Sequence, residues 1–219
     1  MTGPTAIEEA DLTVAEKVGQ LFERVGRVDL LVNTAGYHSS AGCLEIGDDE
    51  WQASQATTVK SYFLTCQTAG RVWRHQGAAG TIVNVAWWDN PRGASLAPNA
   101  GRQVRGGGGA VYGVTKHAAR TMTQVMALEL ARYQITVNGI GPGAVVTNVL
   151  KHLPPDEEAA HRASPDQVPL GRQSTAEDIA GTAVFLASDD AAFITGVTIN
   201  VDGGLSAAAI DRPPPGGIW

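Results

Sequence analysis

Val28-Asp29-Leu30-Leu31-Val32-Asn33-Thr34-Ala35-Gly36 is a short apolar run that stops at a polar residue and a small-residue turn. Leu30, Leu31 and Val32 are consecutive and do not alternate with polar residues, which is the pattern of a strand buried on both faces. Thr81-Ile82-Val83-Asn84-Val85 has the same character. Residues 134–140 and 197–201 read as further strands, the last ending at Asp202-Gly203-Gly204. Between them the period changes. Val14, Val18, Leu21, Phe22 and Val25 recur at helical spacing over 13–26, where Gly26 ends the pattern. A long helix is expected over 48–76, with Trp51, Val59, Phe63, Leu64 and Val72 on its inner side. Further helices are expected over 111–132 and 175–188, the second with Asp178 in its first turn. Strands and helices in alternation require a parallel sheet covered on both faces, so the expected class is a three-layer α/β fold.

Composition narrows the reading. A length of 219 residues suits a single domain with a sizeable core. Within it, 1–10 is an N-terminal segment, 89–109 a Gly/Arg-rich loop, 151–168 a polar excursion and 206–219 a Pro-rich tail. A net charge of -6 argues against a nucleic-acid partner and leaves no basic patch for a membrane surface. Two cysteines, Cys43 and Cys66, permit one disulfide without forming a scaffold, and reduced thiols are expected. No apolar run reaches spanning length and Met1-Thr2-Gly3-Pro4 opens no signal peptide, so a soluble cytoplasmic protein is expected. No Cys/His/Asp group has ligand spacing, and no metal is expected.

Five motifs occur in order: Leu31-Val32-Asn33-Thr34-Ala35-Gly36, Ile82-Val83-Asn84-Val85, Tyr112-x-x-x-Lys116, Pro142-Gly143-x-x-x-Thr147, and Ile194-Thr195-Gly196 with Val201-Asp202-Gly203-Gly204. Singly each is weak, since Tyr-x-x-x-Lys arises by chance in many helices. Together they resemble the short-chain dehydrogenase/reductase family over roughly residues 10–205. The resemblance implies a Rossmann-like fold. It also implies a catalytic group of tyrosine, lysine, serine and often asparagine, and assembly as dimers or tetramers.

Three positions depart from that pattern. A dinucleotide fold opens with a strand, a glycine-rich turn and a helix N-terminus facing the pyrophosphate. Only 27 residues precede Val28, and Gly3, Gly19 and Gly26 are too scattered to form that turn. The expected fold therefore lacks the first βαβ unit and the glycine loop. The serine position falls on Trp87, and an indole cannot replace a hydroxyl that both donates and accepts. The asparagine position falls on Thr58, which is shorter and has no amide. From these departures the expected activity is non-redox, with no cofactor. It would be a dehydration, cyclisation or isomerisation on a small, aromatic or polyketide-like product of specialised metabolism. Asn33, Gly36, Pro142, Gly143 and Thr147 would then be vestiges of a cofactor site. The alternatives are an NAD(P)-dependent oxidoreductase whose N-terminal segment is missing and a non-catalytic accessory subunit.

Tyr112 and Lys116 are four apart on one helical face, so their side chains converge. A lysine ammonium favours tyrosinate, and Tyr112 is expected to have a lowered pKa and to move the proton. His38, at the carboxyl end of a strand, is a candidate second acid/base. Trp87, Trp88 and Thr58 are candidate pocket residues, the indoles by stacking on a planar substrate. His117 turns away from the Tyr112 face. Asn33, Asn84 and Asn138 are expected to satisfy buried backbone at strand ends. Expected partners are a small-molecule substrate and either further copies of the chain or a complete relative. A partner is also one way to cover the Val28–Val32 strand, which becomes a sheet edge.

Overall fold

The computed structural model describes residues 6–37, 44–86, 109–143, 145–146 and 168–208. Four strands, β1 (Leu30–Asn33), β2 (Gly80–Val85), β3 (Ile135–Pro142) and β4 (Thr198–Val201), lie side by side in chain order. All three pairings are parallel, with Asn33 opposite Asn84 and Val85 opposite Ile140. Parallel neighbours need crossovers, and helices supply them.

The helix α1 (Ala15–Val25) ends at Gly26, whose φ of 74° is the left-handed turn that glycine adopts without strain. One continuous helical rod then joins β1 to β2. It begins as α2 (Asp48–Ser54), widens into a π-helical stretch (Gln55–Lys60), and resumes as α3 (Ser61–Gln76). The helix α4 (Gly109–Leu130) leads to β3. It starts two residues before the expected point, inside the run read as loop. The helix α5 (Ala176–Leu186) opens with a capping box: Thr175 accepts from the Asp178 N–H, while the Asp178 carboxylate accepts from Thr175 N–H. A short turn, α6 (Leu205–Ala208), follows β4.

Alternation along the strands builds the two faces. Ile82, Ile135 and Val137 pack with Val18 and Phe22 of α1, Cys66, Ala69 and Trp73 of α3, and Ala127 of α4. Val83 and Ile140 point the other way, into a core with Leu186 and Ala191. The three-layer Rossmann-like arrangement is therefore present. The expected inner face of the long rod is corrected. Its buried residues are Ser54, Thr58, Ser61, Tyr62, Thr65, Cys66, Ala69, Gly70 and Trp73, whereas Trp51 and Phe63 are 37% and 43% exposed. Leu64 and Val72 do pack against the core as expected, but the fully buried line is rich in small and polar residues, which hydropathy does not mark.

Among the described residues β1 is an edge. Leu31 packs under α1 and α3, while Leu30 and Val32, on the opposite face, are exposed. No helix of the described residues is long and apolar enough to cross a membrane.

Candidate active site

The site is built where β1 and β2 end. Both strands run toward the same edge, and open α/β sheets place ligands at the carboxyl ends of their strands. Helix α4 lays Lys116 across that edge. The side chain is 2% exposed, and its ammonium donates to the carbonyl oxygens of Val85 at 2.8 Å and Ala35 at 3.3 Å. A third bond, at 3.1 Å, goes to the hydroxyl of Tyr62 on α3. Burial pushes the Lys116 amine down to about 8. Tyr112, one turn earlier on α4, has its ring centroid 5.9 Å from Lys116 Nζ.

This geometry corrects one expectation. Burial raises the Tyr112 pKa. The ammonium directs its three bonds at Ala35, Val85 and Tyr62, and it sits closer to the Tyr62 ring, at 5.2 Å, than to that of Tyr112. Desolvation of the phenolate therefore outweighs the attraction of the lysine.

Beneath the site lies a polar network wholly inside the protein. Asn33 Nδ2 donates to Asn84 Oδ1 at 2.9 Å, Thr65 Oγ1 donates to Asn33 Oδ1 at 2.8 Å, and Asn84 Nδ2 donates to Thr123 Oγ1 at 3.0 Å. Cys66 Sγ accepts from Asn33 Nδ2 at 3.3 Å, and burial pushes its thiol up to about 12. Asn33 and Asn84 were expected to satisfy backbone; they bond side chains instead, tying β1, β2, α3 and α4 together. Asn138 does meet backbone, donating to the Ile194 carbonyl.

The other sequence candidates separate. Gly36 lies against the site: a Cβ there would meet Lys116 Cε at 3.2 Å and Tyr112 Cε2 at 3.9 Å. Pro142 and Gly143 close β3, where Gly143 packs on Asp202 so tightly that a Cβ would strike its backbone. Asp202 itself is a turn residue, accepting from Gly204 N and Ser206 N. Thr58 is completely buried in the π-helical stretch, with its hydroxyl unpartnered among the described residues, so it does not line an open pocket. His117 is exposed and turned back on the Gly113 carbonyl. His38, Trp87, Trp88 and Thr147 lie outside the described residues, as does most of the 89–109 loop. Among the described residues no group of His, Cys, Asp or Glu is placed to hold a metal ion.

Residues 3–206 match a family model described as enoyl-(acyl carrier protein) reductase. The chain is 34% identical over 193 residues to 2-dehydro-3-deoxy-D-gluconate 5-dehydrogenase of Dickeya dadantii, covering 88% of this chain and 71% of that protein. It is also 34% identical over 208 residues to L-rhamnose 1-dehydrogenase (NAD(P)(+)) of Azotobacter vinelandii, covering 93% and 76%. The solved structure of ElxO with NADP bound superposes with a TM-score of 0.74 at 26% identity, over 92% of this chain and 78% of that one. The chain belongs to the short-chain dehydrogenase/reductase family. Two of these relatives are dehydrogenases by name, one of them with NAD(P)(+), and ElxO holds NADP; together they overturn the expected loss of redox chemistry and of cofactor. That expectation gave three local departures more weight than a likeness running through nearly the whole chain. Of the three, Thr58 is now seen to be an internal residue.

The described residues of this short-chain dehydrogenase/reductase fit the ribosyl-nicotinamide end of such a cofactor. Gly36 leaves bare backbone where a Cβ would fill the space before Lys116 and Tyr112, and the Lys116 ammonium, its three protons given to Ala35, Val85 and Tyr62, would act on the cofactor through its charge. No described glycine turn serves the pyrophosphate. Sequence reasoning missed Tyr62. Its position one turn after Thr58 on the same helical face was the available signal, but the apolar neighbours Phe63 and Leu64 drew the inner stripe away from it.

Proposed function

We propose that this chain is an NAD(P)-dependent oxidoreductase that interconverts a small alcohol and its carbonyl compound. The observation that carries the reading is the buried Lys116 ammonium, anchored on the Ala35 and Val85 carbonyls at the ends of β1 and β2 with Tyr112 one turn away. A bound nicotinamide supplies or accepts the hydride. The protein moves the proton. Tyr112, kept protonated by burial, gives its phenolic proton to the carbonyl oxygen during reduction, and the reverse transfer accompanies oxidation. Lys116 places a positive charge near the phenolate that remains, and its bonds to the Ala35 and Val85 carbonyls hold the ammonium at the strand ends. The polar sugar-derived substrates named for the relatives support a small, hydroxylated substrate for this chain as well.

The same reading includes self-association. A groove between α3 and α4 has Phe63, Met126 and Leu130 among its lining and Arg71, Arg74 and Glu129 beside them, a mixed apolar and charged surface on two long helices that suits packing against a second copy.

The test is a titration of the purified chain with NADPH, followed by turnover on a panel of small ketones and sugar derivatives. Saturable binding in the micromolar range is expected, with turnover that Tyr112→Phe lowers by roughly 10²–10⁴-fold while leaving binding intact. Turnover equal to wild type in that variant would remove Tyr112 from the proton step. Failure to bind at millimolar NADPH would remove the redox reading for the chain alone.

A further inference from the structure

We propose that Tyr62 is a positioning residue for Lys116, the third acceptor that fixes the ammonium at the sheet edge. Its catalytic consequence rests on the redox reading above, whereas the contact itself does not.

An ammonium has three N–H donors and no acceptor. Two of the three are taken by carbonyls at the ends of neighbouring strands, Val85 and Ala35. Those two alone leave the group free to swing toward any third acceptor. Tyr62 removes that freedom. Its own proton goes to the Val85 carbonyl at 3.1 Å, so the hydroxyl cannot rotate its proton toward the lysine and presents a lone pair to Nζ at 3.1 Å. Val85, Tyr62 and Lys116 thus close a three-membered ring of hydrogen bonds in which every proton has one place to go. The phenol is 1% exposed and packs with Ala86 and Ala119, which keeps it away from substrate and makes it act through the lysine. Burial also raises its pKa strongly, so the hydroxyl stays neutral wherever Lys116 titrates. Thr58, one turn earlier, does not supply this contact, because its buried hydroxyl has no partner among the described residues.

The competing account is that Tyr62 only fills space. The two differ in what happens to the lysine. Among the described residues, the titratable groups facing Lys116 are Tyr62 from α3 and Tyr112 from α4; β1 and β2 present only backbone carbonyls. Removing the Tyr62 hydroxyl leaves burial unchanged and deletes one bond to the charged form, which disfavours that form.

Lysine labelled with ¹³C at Cε reports this directly, with the Lys116 signal assigned by its loss in Lys116→Met. We expect a midpoint near 8 in wild type and a midpoint at least half a pH unit lower in Tyr62→Phe. An unchanged midpoint in a folded Tyr62→Phe protein overturns the proposal. If that variant does not fold, wild-type protein labelled at tyrosine Cζ gives the answer. The Tyr62 signal should move with the Lys116 midpoint and lose that movement in Lys116→Met; a flat signal overturns the proposal. Neither measurement needs cofactor or substrate. A lowered midpoint together with absent wild-type turnover would end the redox reading and leave the Tyr62 contact standing.

Discussion

The two ends of β2 are built on opposite terms. At its first residue, Gly80, the backbone lies flat against the Trp73 indole, and a Cβ there would overlap the ring. Trp73 is 1% exposed, and its Nε1 donates to the Val28 carbonyl at 2.6 Å. At its last residue, Val85, the strand offers a carbonyl oxygen to a buried ammonium and to a phenol. The first end is decided by shape, with apolar surfaces in contact and the indole N–H satisfied. The second places a charge where water is excluded, which costs stability and is retained for what the charge does. One six-residue strand therefore has a structural end and a chemical end.

Mutation at the structural end should give the largest loss of stability. Trp73→Ala empties the space beneath Gly80 and leaves the Val28 carbonyl without its donor, and is expected to cost about 3–5 kcal/mol in denaturant unfolding. Gly80→Ala attacks the same contact from the other side and should cost about 3 kcal/mol, at the upper range for overpacking. A loss under about 1 kcal/mol in both would show that this end is not the tightly packed one.

The chemical end should respond to pH. With its midpoint depressed by burial to about 8 against 10.5 in an unfolded chain, Lys116 binds fewer protons folded than unfolded between those values. Stability contributed by this group then rises with pH across that window, because the charge disfavours the fold below it and both states are neutral above it. Lys116→Met carries no such proton. Its stability relative to wild type is expected to fall by on the order of 3 kcal/mol from pH 8 to pH 10.5. Cys66, Tyr62 and Tyr112 are present in both proteins, so their own titrations cancel in the difference. A pH-independent difference would show that Lys116 titrates alike in the folded and unfolded chain, so that burial does not depress its midpoint.

The structural end was more legible in the sequence than the chemical one. Consecutive aliphatics in Leu30–Val32 and Ile82–Val83 specify strands, and the Thr175/Asp178 pair marks the start of α5, so the sheet and its crossovers followed from pattern. Burial on both faces holds for Ile82–Val83 and not for Leu30–Val32, whose Leu30 and Val32 are exposed. Tyr112 and Lys116 were visible as an i, i+4 pair. What pattern did not show was direction. Nothing in the spacing says that the Lys116 ammonium turns toward Tyr62 and two carbonyls, or that desolvation of Tyr112 outweighs its attraction. Both depend on how α3 and α4 pack over the strand ends, which has no hydropathy signal. The same blindness led Thr58 to be read as a lost asparagine at a pocket wall, when its hydroxyl is shut inside the helix packing. Weighing that substitution as lost chemistry set aside the redox reading that the family relationship restores.

Two glycines make the sharpest contrast between the ends, and the second gives the smallest expected effect on stability. At Gly80 an added Cβ meets a rigid indole, whereas at Gly36 it meets the far end of a lysine side chain at 3.2 Å. The lysine is able to move by a few tenths of an ångström, so Gly36→Ala should cost about 1 kcal/mol or less. The displacement falls on the group that sets the proton step, however, and misplacement on the scale of 1 Å costs about 10²-fold in rate. A shift of a few tenths is therefore expected to lower turnover by about ten-fold, with cofactor affinity also weakened because the methyl fills the bare backbone facing Lys116. Unfolding and initial-rate measurements on the same preparation separate the effects. If Gly36→Ala lost as much stability as Gly80→Ala while keeping its rate, shape would govern both ends of the sheet, and the division between a structural end and a chemical end would fail.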